Sequence, residues 1–272
     1  MVRSLWTAAT GMIAQQTNVD TIANNLANVN TNGYKTEVNE FKSLLYQNLQ
    51  QKTTTADGSP KPTSAQVGLG VRNASITSLF KQGPLLASDK DTAFAIDGKG
   101  FFSVQGADGN TYYTRNGNFD WTLGENGSNI LATSDGLPVL DTDGDPIILN
   151  SSYTVSRITV TSDGVICYPD ARNIPQSLGI QIGLTQFNNP AGLERLADSL
   201  YGETAASGQP INEFTSTNVE KSEVIQNYLE GSNVQVVDEM VNMIVAQRAY
   251  EMNSKAITAS DEMMQQANNL RR

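Results

Sequence analysis

The chain has 272 residues, 39% of them apolar and 17% charged, which suits one or two packed domains and not a disordered tail. Its net charge is −10, with no window rich in Lys or Arg, so a phosphate backbone or an anionic lipid surface would repel it and nucleic acid is excluded as a partner. Histidine is absent and Cys167 is the single cysteine, which removes imidazole catalysis, a disulfide within the chain and a thiolate zinc cluster.

All nine prolines lie between Pro60 and Pro210, so long helices are confined to the two ends. The first runs from about Ser4 to about Asn28. Leu5, Met12, Val19 and Leu26 recur every seven residues with Ala9, Gln16 and Ala23 between them, the spacing of a coiled-coil seam, and Ile13 and Ile22 widen the stripe. Asn30-Thr31-Asn32-Gly33 supplies the stop, Gly33 being suited to a left-handed C-terminal cap. Asn24, Asn25 and Asn28 are weak helix formers that serve either a solvated face or amide hydrogen bonds between helices. No stretch approaches the roughly 18 apolar residues of a spanning helix. Gln15, Gln16, Asn18 and Asp20 interrupt the start too early for a secretory signal. Neither membrane insertion nor cleavage is expected.

Residues 46–66 read as an extended linker or arm, because Gln47 to Pro62 is rich in Gln, Thr, Ser and Pro and lacks periodicity. Residues 67–225 read as short antiparallel strands. Phe101–Val104 and Thr111–Thr114 flank the turn-forming Gly106–Asn110, and further turns fall at Asn126-Gly127, Asp135-Gly136, Asp143-Gly144 and Asp163-Gly164. Most of the acidity is here, residues 51–220 carrying 10 − 18 = −8. Cys167 follows the alternating Ile158, Val160 and Val165 and reads as a buried strand thiol. Asp141-Thr142-Asp143-Gly144-Asp145 opens like a calcium loop but has Pro146 and Ser152 where such a loop needs Gly and Glu. Asp89, Asp91 and Asp97 read as surface acids. No catalytic, cofactor or metal site is assigned.

Residues 226–272 hold the longest helical pattern, from about Val234 to Leu270. It carries two apolar rows. Val245, Ala249, Met252, Ala256, Ala259, Met263 and Leu270 follow a 4-3 repeat, whereas Met243, Tyr250, Ile257 and Met264 form a second row about 130° around the helix. One hairpin partner covers only one of them, so the helix is either buried deep in one domain or packed between its own partner and a neighbouring copy. The expected fold is α+β: long N- and C-terminal helices paired as a coiled coil, around an inserted antiparallel all-β domain that is sandwich-like or barrel-like. Residues 1–45 and 226–272 then form the assembly domain. The candidate interface is Leu5, Ala9, Met12, Val19, Ala23 and Leu26 with Met243, Val245, Ala249, Tyr250, Met252, Ala256, Ile257, Met263, Met264 and Leu270.

Ala23-Asn24-Asn25-Leu26-Ala27-Asn28-Val29-Asn30-Thr31-Asn32-Gly33-Tyr34-Lys35 resembles the N-terminal signature of the bacterial flagellar rod and hook proteins. Glu239-Met240-Val241-Asn242-Met243-Ile244 and Gln247–Lys255 resemble the family's C-terminal signature, and Ala95–Val104 and Tyr113–Phe119 its central β-domain. The chain's length and its start, Val2 to Met12, are most similar to rod members from the distal part of the shaft, the longer hook subunits and the proximal rod members being the nearest rivals. Residues 46–62 fall where distal members carry an extra stretch implicated in rod straightness. The resemblance implies a non-enzymatic subunit that uses no cofactor. It would be exported unprocessed by the flagellar type III apparatus and would polymerise helically in the periplasm, its helices inside and its β-domain facing the bushing rings. Its partners would be further copies of itself, proximal rod proteins, hook or hook-junction proteins and the ring proteins. A β-rich periplasmic protein that binds or hydrolyses the cell wall is the rival from another class.

Overall fold

The computed structural model describes residues 2–50, 65–124, 127–170, 172, 174–216 and 219–270. The chain is α+β, with one helix near each end and antiparallel strands between them. It divides into two compact units. The first comprises Met1–Ala27, Glu37–Ser78 and Gln235–Arg272, and the second Asn28–Thr36 and Leu79–Val234.

The first unit holds α1 (Val2–Ala27) and α2 (Val236–Asn269), together with strands β1 (Glu37–Ser43), β2 (Tyr46–Gln50), β3 (Ala65–Gly68) and β4 (Val71–Ser78). β1 pairs with β4 and β2 with β3, and Leu44 N–H donates to Gly70 O at 2.9 Å while Leu69 N–H donates to Leu45 O at 3.2 Å. Ser43↔Val71 and Tyr46↔Gly68 keep one register, so the four strands form a single two-stranded ribbon, with a register shift at Glu40/Phe41. Of residues 46–66, read along the sequence as an extended linker or arm, the described flanks are paired strands, and residues 51–64 lie outside the described residues. A ribbon with little burial on either face needs no alternation of apolar and polar residues, so periodicity gave no sign of it. The ribbon also puts β4 with the helices, a partition different from the range 67–225 read along the sequence.

The second unit holds β5 (Leu85–Ala87), β6 (Phe94–Asp97), β7 (Phe101–Gln105), β8 (Thr111–Thr114), β9 (Phe119–Leu123), β10 (Asn129–Thr133), β11 (Ile148–Leu149), β12 (Thr159–Val160), β13 (Val165–Pro169), β14 (Pro175–Gln181), β15 (Leu184–Gln186), β16 (Glu194–Arg195), β17 (Leu200–Gly202), β18 (Ile211–Asn212), β19 (Glu223–Gln226) and β20 (Tyr228–Glu230). The largest sheet runs β16-β17-β8-β7-β15-β18. β7 and β8 pair as the turn chemistry predicts, Phe102 opposite Thr114 and Gln105 opposite Thr111. Successive side chains of β7 point to opposite faces. Phe102 and Val104 therefore join a core with Phe94, Ile96, Phe119 and Leu131, while Phe101 joins Tyr113, Phe187, Leu193 and Tyr201. That second cluster is built from edge-to-face aromatic contacts, Tyr113 and Phe187 having ring centroids 4.8 Å apart. Cys167 is buried in β13. The described Asp-Gly turns do use left-handed glycines, Gly136, Gly144 and Gly164 having φ of 84°, 91° and 76°.

Candidate assembly interface

α1 and α2 lie antiparallel, and their contacts step along both helices seven residues at a time. Ser4 Oγ is 3.4 Å from Ser260 Oγ, and Asn25 Nδ2 donates to Glu239 Oε2 at 3.3 Å. Between them, Gly11 packs against Asn253, whose Nδ2 would be 2.8 Å from any Cβ added at Gly11. Ala246, only 1% exposed, lies seven residues from both Glu239 and Asn253 on the same face of α2. The numbers in each pair add to 264. A seven-residue repeat on both helices keeps one seam facing the partner, but the seam's residues are small or polar instead of large and apolar.

Asn25 also fixes the start of the ribbon. Its Oδ1 accepts from Glu37 N–H and its Nδ2 donates to Glu37 O, both at 2.8 Å. Of the two roles open to the asparagines, Asn25 serves the bonded one and is buried, whereas Asn24 is exposed.

The two rows of α2 meet different fates. Met243, Ile257 and Met264 are half-buried, each four residues beyond a seam residue, and Tyr250 beside them is 43% exposed. The 4-3 row is largely open to solvent: Val245 is 62% exposed, Met252 65%, Met263 51% and Leu270 88%, with Ala256 and Ala259 exposed and Ala249 half-buried. On α1 the best-buried residues are Ala8, Ala14, Thr21, Ile22 and Asn25, while Leu5, Ala9, Met12, Val19 and Leu26 are half-buried and Ala23 is exposed. α1 packs against β1 and β4 as well as α2, so its covered surface is broader than one heptad stripe. Ser4, Gly11, Asn18 and Asn25 also recur every seven residues; a search for apolar periodicity passes over them.

A groove of about 380 Å³ runs along this helix pair, lined by Gln16, Val19, Gln247, Tyr250 and Glu251. Glu251 is already paired, accepting from Arg248 at 2.9 Å.

Inside the second unit, four buried charges cancel. Glu230 accepts from Lys35 Nζ at 2.6 Å, from Arg115 at 3.2 Å and from Gly83 N–H at 2.9 Å. Lys35 also donates to Lys81 O, and Arg115 to Gly98 O. Glu213 accepts from Ser222 N–H at 2.6 Å, Ser222 Oγ at 2.9 Å and Gln186 Nε2 at 2.9 Å, and its charge adds to that of Glu230 in favouring the Arg115 cation. Burial pulls the Lys35 ammonium below its ordinary range, and the adjacent Glu230 carboxylate opposes that shift. Asn233 extends the network, accepting from Thr36 N–H and donating to Leu79 O. Gly33 is left-handed, with φ of 71°, but α1 ends at Ala27, which corrects the expectation that Gly33 caps the helix. Gly33 instead donates its N–H to Glu230 O and leaves no room for a Cβ against the backbone of Arg115 and Asn116. Single charges scattered along a sequence look like surface charges, so nothing in it marked this cluster.

Among the described residues, no group of three or more His, Cys, Asp or Glu side chains converges as a metal site, and Asp141 accepts from Asp143 N–H as an ordinary turn. No helix among them is long and apolar enough to cross a membrane.

Three family models match the chain: Flagella basal body rod protein over residues 5–35, Flagellar hook protein FlgE/F/G D1 domain over residues 95–168, and Flagellar basal body rod FlgEFG protein C-terminal over residues 225–270. The chain is 43% identical to flagellar basal-body rod protein FlgG of Borreliella burgdorferi, with all of both chains covered. It is 41% identical to FlgG of Buchnera aphidicola subsp. Schizaphis graminum over 99% of this chain and 100% of the relative. FlgG of Bacillus subtilis is 36% identical, again with both chains covered in full. With such identity from end to end, the chain belongs to the flagellar basal-body rod protein family. Its full-length likeness to FlgG proteins makes it a structural subunit of the distal rod in the flagellar basal body, and not an enzyme.

Proposed function

We propose that copies of this chain polymerise helically through their first units into a rigid hollow shaft that carries torque from motor to hook. The observation that supports this is the exposed 4-3 row on α2, from Val245 to Leu270. Covering an apolar side chain returns about 1.5–3 kcal/mol, and a monomer leaves that gain unrealised. In this reading α1 and α2 pair as a coiled coil, and residues 1–45 and 226–272 are the assembly domain. Residues 46–66 are a linker or arm, and the β-domain, read along the sequence as residues 67–225 with β4 instead joining the helices, is sandwich-like or barrel-like. The interface residues are those of the two rows of α2 together with Leu5, Ala9, Met12, Val19, Ala23 and Leu26. Specific partners would be further copies of the chain, proximal rod proteins, hook or hook-junction proteins and bushing ring proteins, reached after export through the flagellar type III apparatus into the periplasm without cleavage.

Met252→Asp tests the reading. Met252 is 65% exposed, so the monomer's unfolding free energy from urea titration stays within about 0.5 kcal/mol of wild type. In the polymer the charge would be buried without a partner, and no rods should be visible by electron microscopy of isolated basal bodies. Normal rods from this variant would overturn the interface.

A further inference from the structure

We infer that neighbouring copies join by two different faces of α2: the exposed row of one copy seats in the groove that the next copy forms between α2 and α1. This rests on the proposed polymerisation and specifies its contact.

The first support is angular. At 100° per residue, the row Val245, Ala249, Met252, Ala256, Ala259 and Met263 centres roughly 160° around α2 from the groove residues Gln247, Tyr250 and Glu251. One copy therefore presents row and groove on nearly opposite sides. A contact between two unlike faces is heterologous, so each copy keeps one free face of each kind and the chain of contacts extends instead of closing as a dimer. The second support is chemical. The row contains no charged residue, and the one charge lining the groove, Glu251, already has Arg248 as its counter-ion, so docking buries no unpaired charge. The groove's volume, about 380 Å³, accommodates methionine-sized knobs, and Tyr250 and Val19 contribute apolar surface to its lining. The third support is electrostatic and selects a second copy as the occupant. The residues of the first unit carry nine Lys and Arg and nine Asp and Glu, 9 − 9 = 0, so like copies meet there without net repulsion.

Cysteine crosslinking within assembled rods distinguishes this contact from others. Met252→Cys and Val19→Cys chains are expressed together, rods are isolated, and a short bismaleimide is applied; wild-type rods, whose Cys167 is buried, serve as the blank. The expected result is a crosslinked dimer from the mixture and none from either variant alone. Should that pair prevent assembly, Ala256→Cys with Gln16→Cys, both exposed positions, gives the same readout. A dimer from Met252→Cys or Ala256→Cys alone would mean that row meets row and would overturn the inference. So would well-formed rods with no dimer from either mixture, an outcome that leaves polymerisation itself intact. Absence of rods even from the wild-type chain would instead contradict the proposed function.

Discussion

The two units solve the problem of burial in opposite ways. The second carries nine Lys and Arg against nineteen Asp and Glu, 9 − 19 = −10, so it holds the chain's whole net charge, and it closes two hydrophobic clusters around β7. The first is electrically neutral and leaves Val245, Met252, Met263 and Leu270 in solvent. The second unit also exposes single apolar residues such as Leu123 and Ile174, but its net charge opposes contact between its own copies. The first has no net charge and carries its exposed apolar residues as a row along one helix, which is the contrast the proposed self-association draws on.

The largest expected effect on stability attacks the second unit. Glu230→Ala leaves Lys35 and Arg115 buried without their shared carboxylate, a loss of about 3–5 kcal/mol. Urea denaturation followed by near-ultraviolet circular dichroism, which reports the tyrosines and tryptophans, should show the midpoint falling accordingly. An unchanged midpoint would mean that the cluster is not what organises the second unit. Next is Asn25→Ala in the first unit. It removes two bonds to Glu37 and one to Glu239, and should lower the stability of the helix pair by about 1–3 kcal/mol. Far-ultraviolet dichroism during heating would register early loss of helix while the β-rich signal persists. Simultaneous loss of both would show that the two units melt as one.

The smallest effect is a pH dependence confined to the second unit. Burial, with Glu203 nearby, pushes the Tyr113 hydroxyl from its ordinary 10 up to about 12. Between those values the unfolded chain has released the proton and the folded chain still holds it, so stability falls as pH rises from 10 to about 12 and does not change on this account below 10. Tyr113→Phe should flatten that fall, as read from urea midpoints measured across the window. An equally steep fall in the variant would assign the effect to other groups.

What could be read in the sequence follows from where each element spends its side chains. β7 and β8 were legible because Phe101–Val104 and Thr111–Thr114 bracket a glycine-rich turn. Both helices were legible because proline is missing from the ends, and the existence of two rows on α2 followed from spacing alone. The phase of the helix pair was not legible. Ser4, Gly11, Asn18, Asn25, Glu239, Ala246, Asn253 and Ser260 contribute shape and hydrogen bonds in place of hydrophobicity, so the apolar stripe on α1 pointed to Leu5, Met12, Val19 and Leu26, which are only half-buried. The ribbon was hidden for a related reason. Strands with little buried face carry no alternation to detect, and the partnership of Glu37–Ser43 with Val71–Ser78 spans a segment rich in turn formers. The charge cluster joins Lys35, Arg115, Glu213 and Glu230, residues so far apart along the chain that only the folded unit makes them neighbours.

The constant step between α1 and α2 has a mechanical corollary. Slide α2 by one repeat and Ala246 stands beside Asn25, while Glu239 moves past the end of α1 at Ala27 and loses its amide partner. The observed height is thus held against sliding in that direction, at one end, by an amide and a carboxylate. Every outward-facing methionine of α2 inherits that height, so the axial rise of any filament built on them is gauged by a bond inside each subunit.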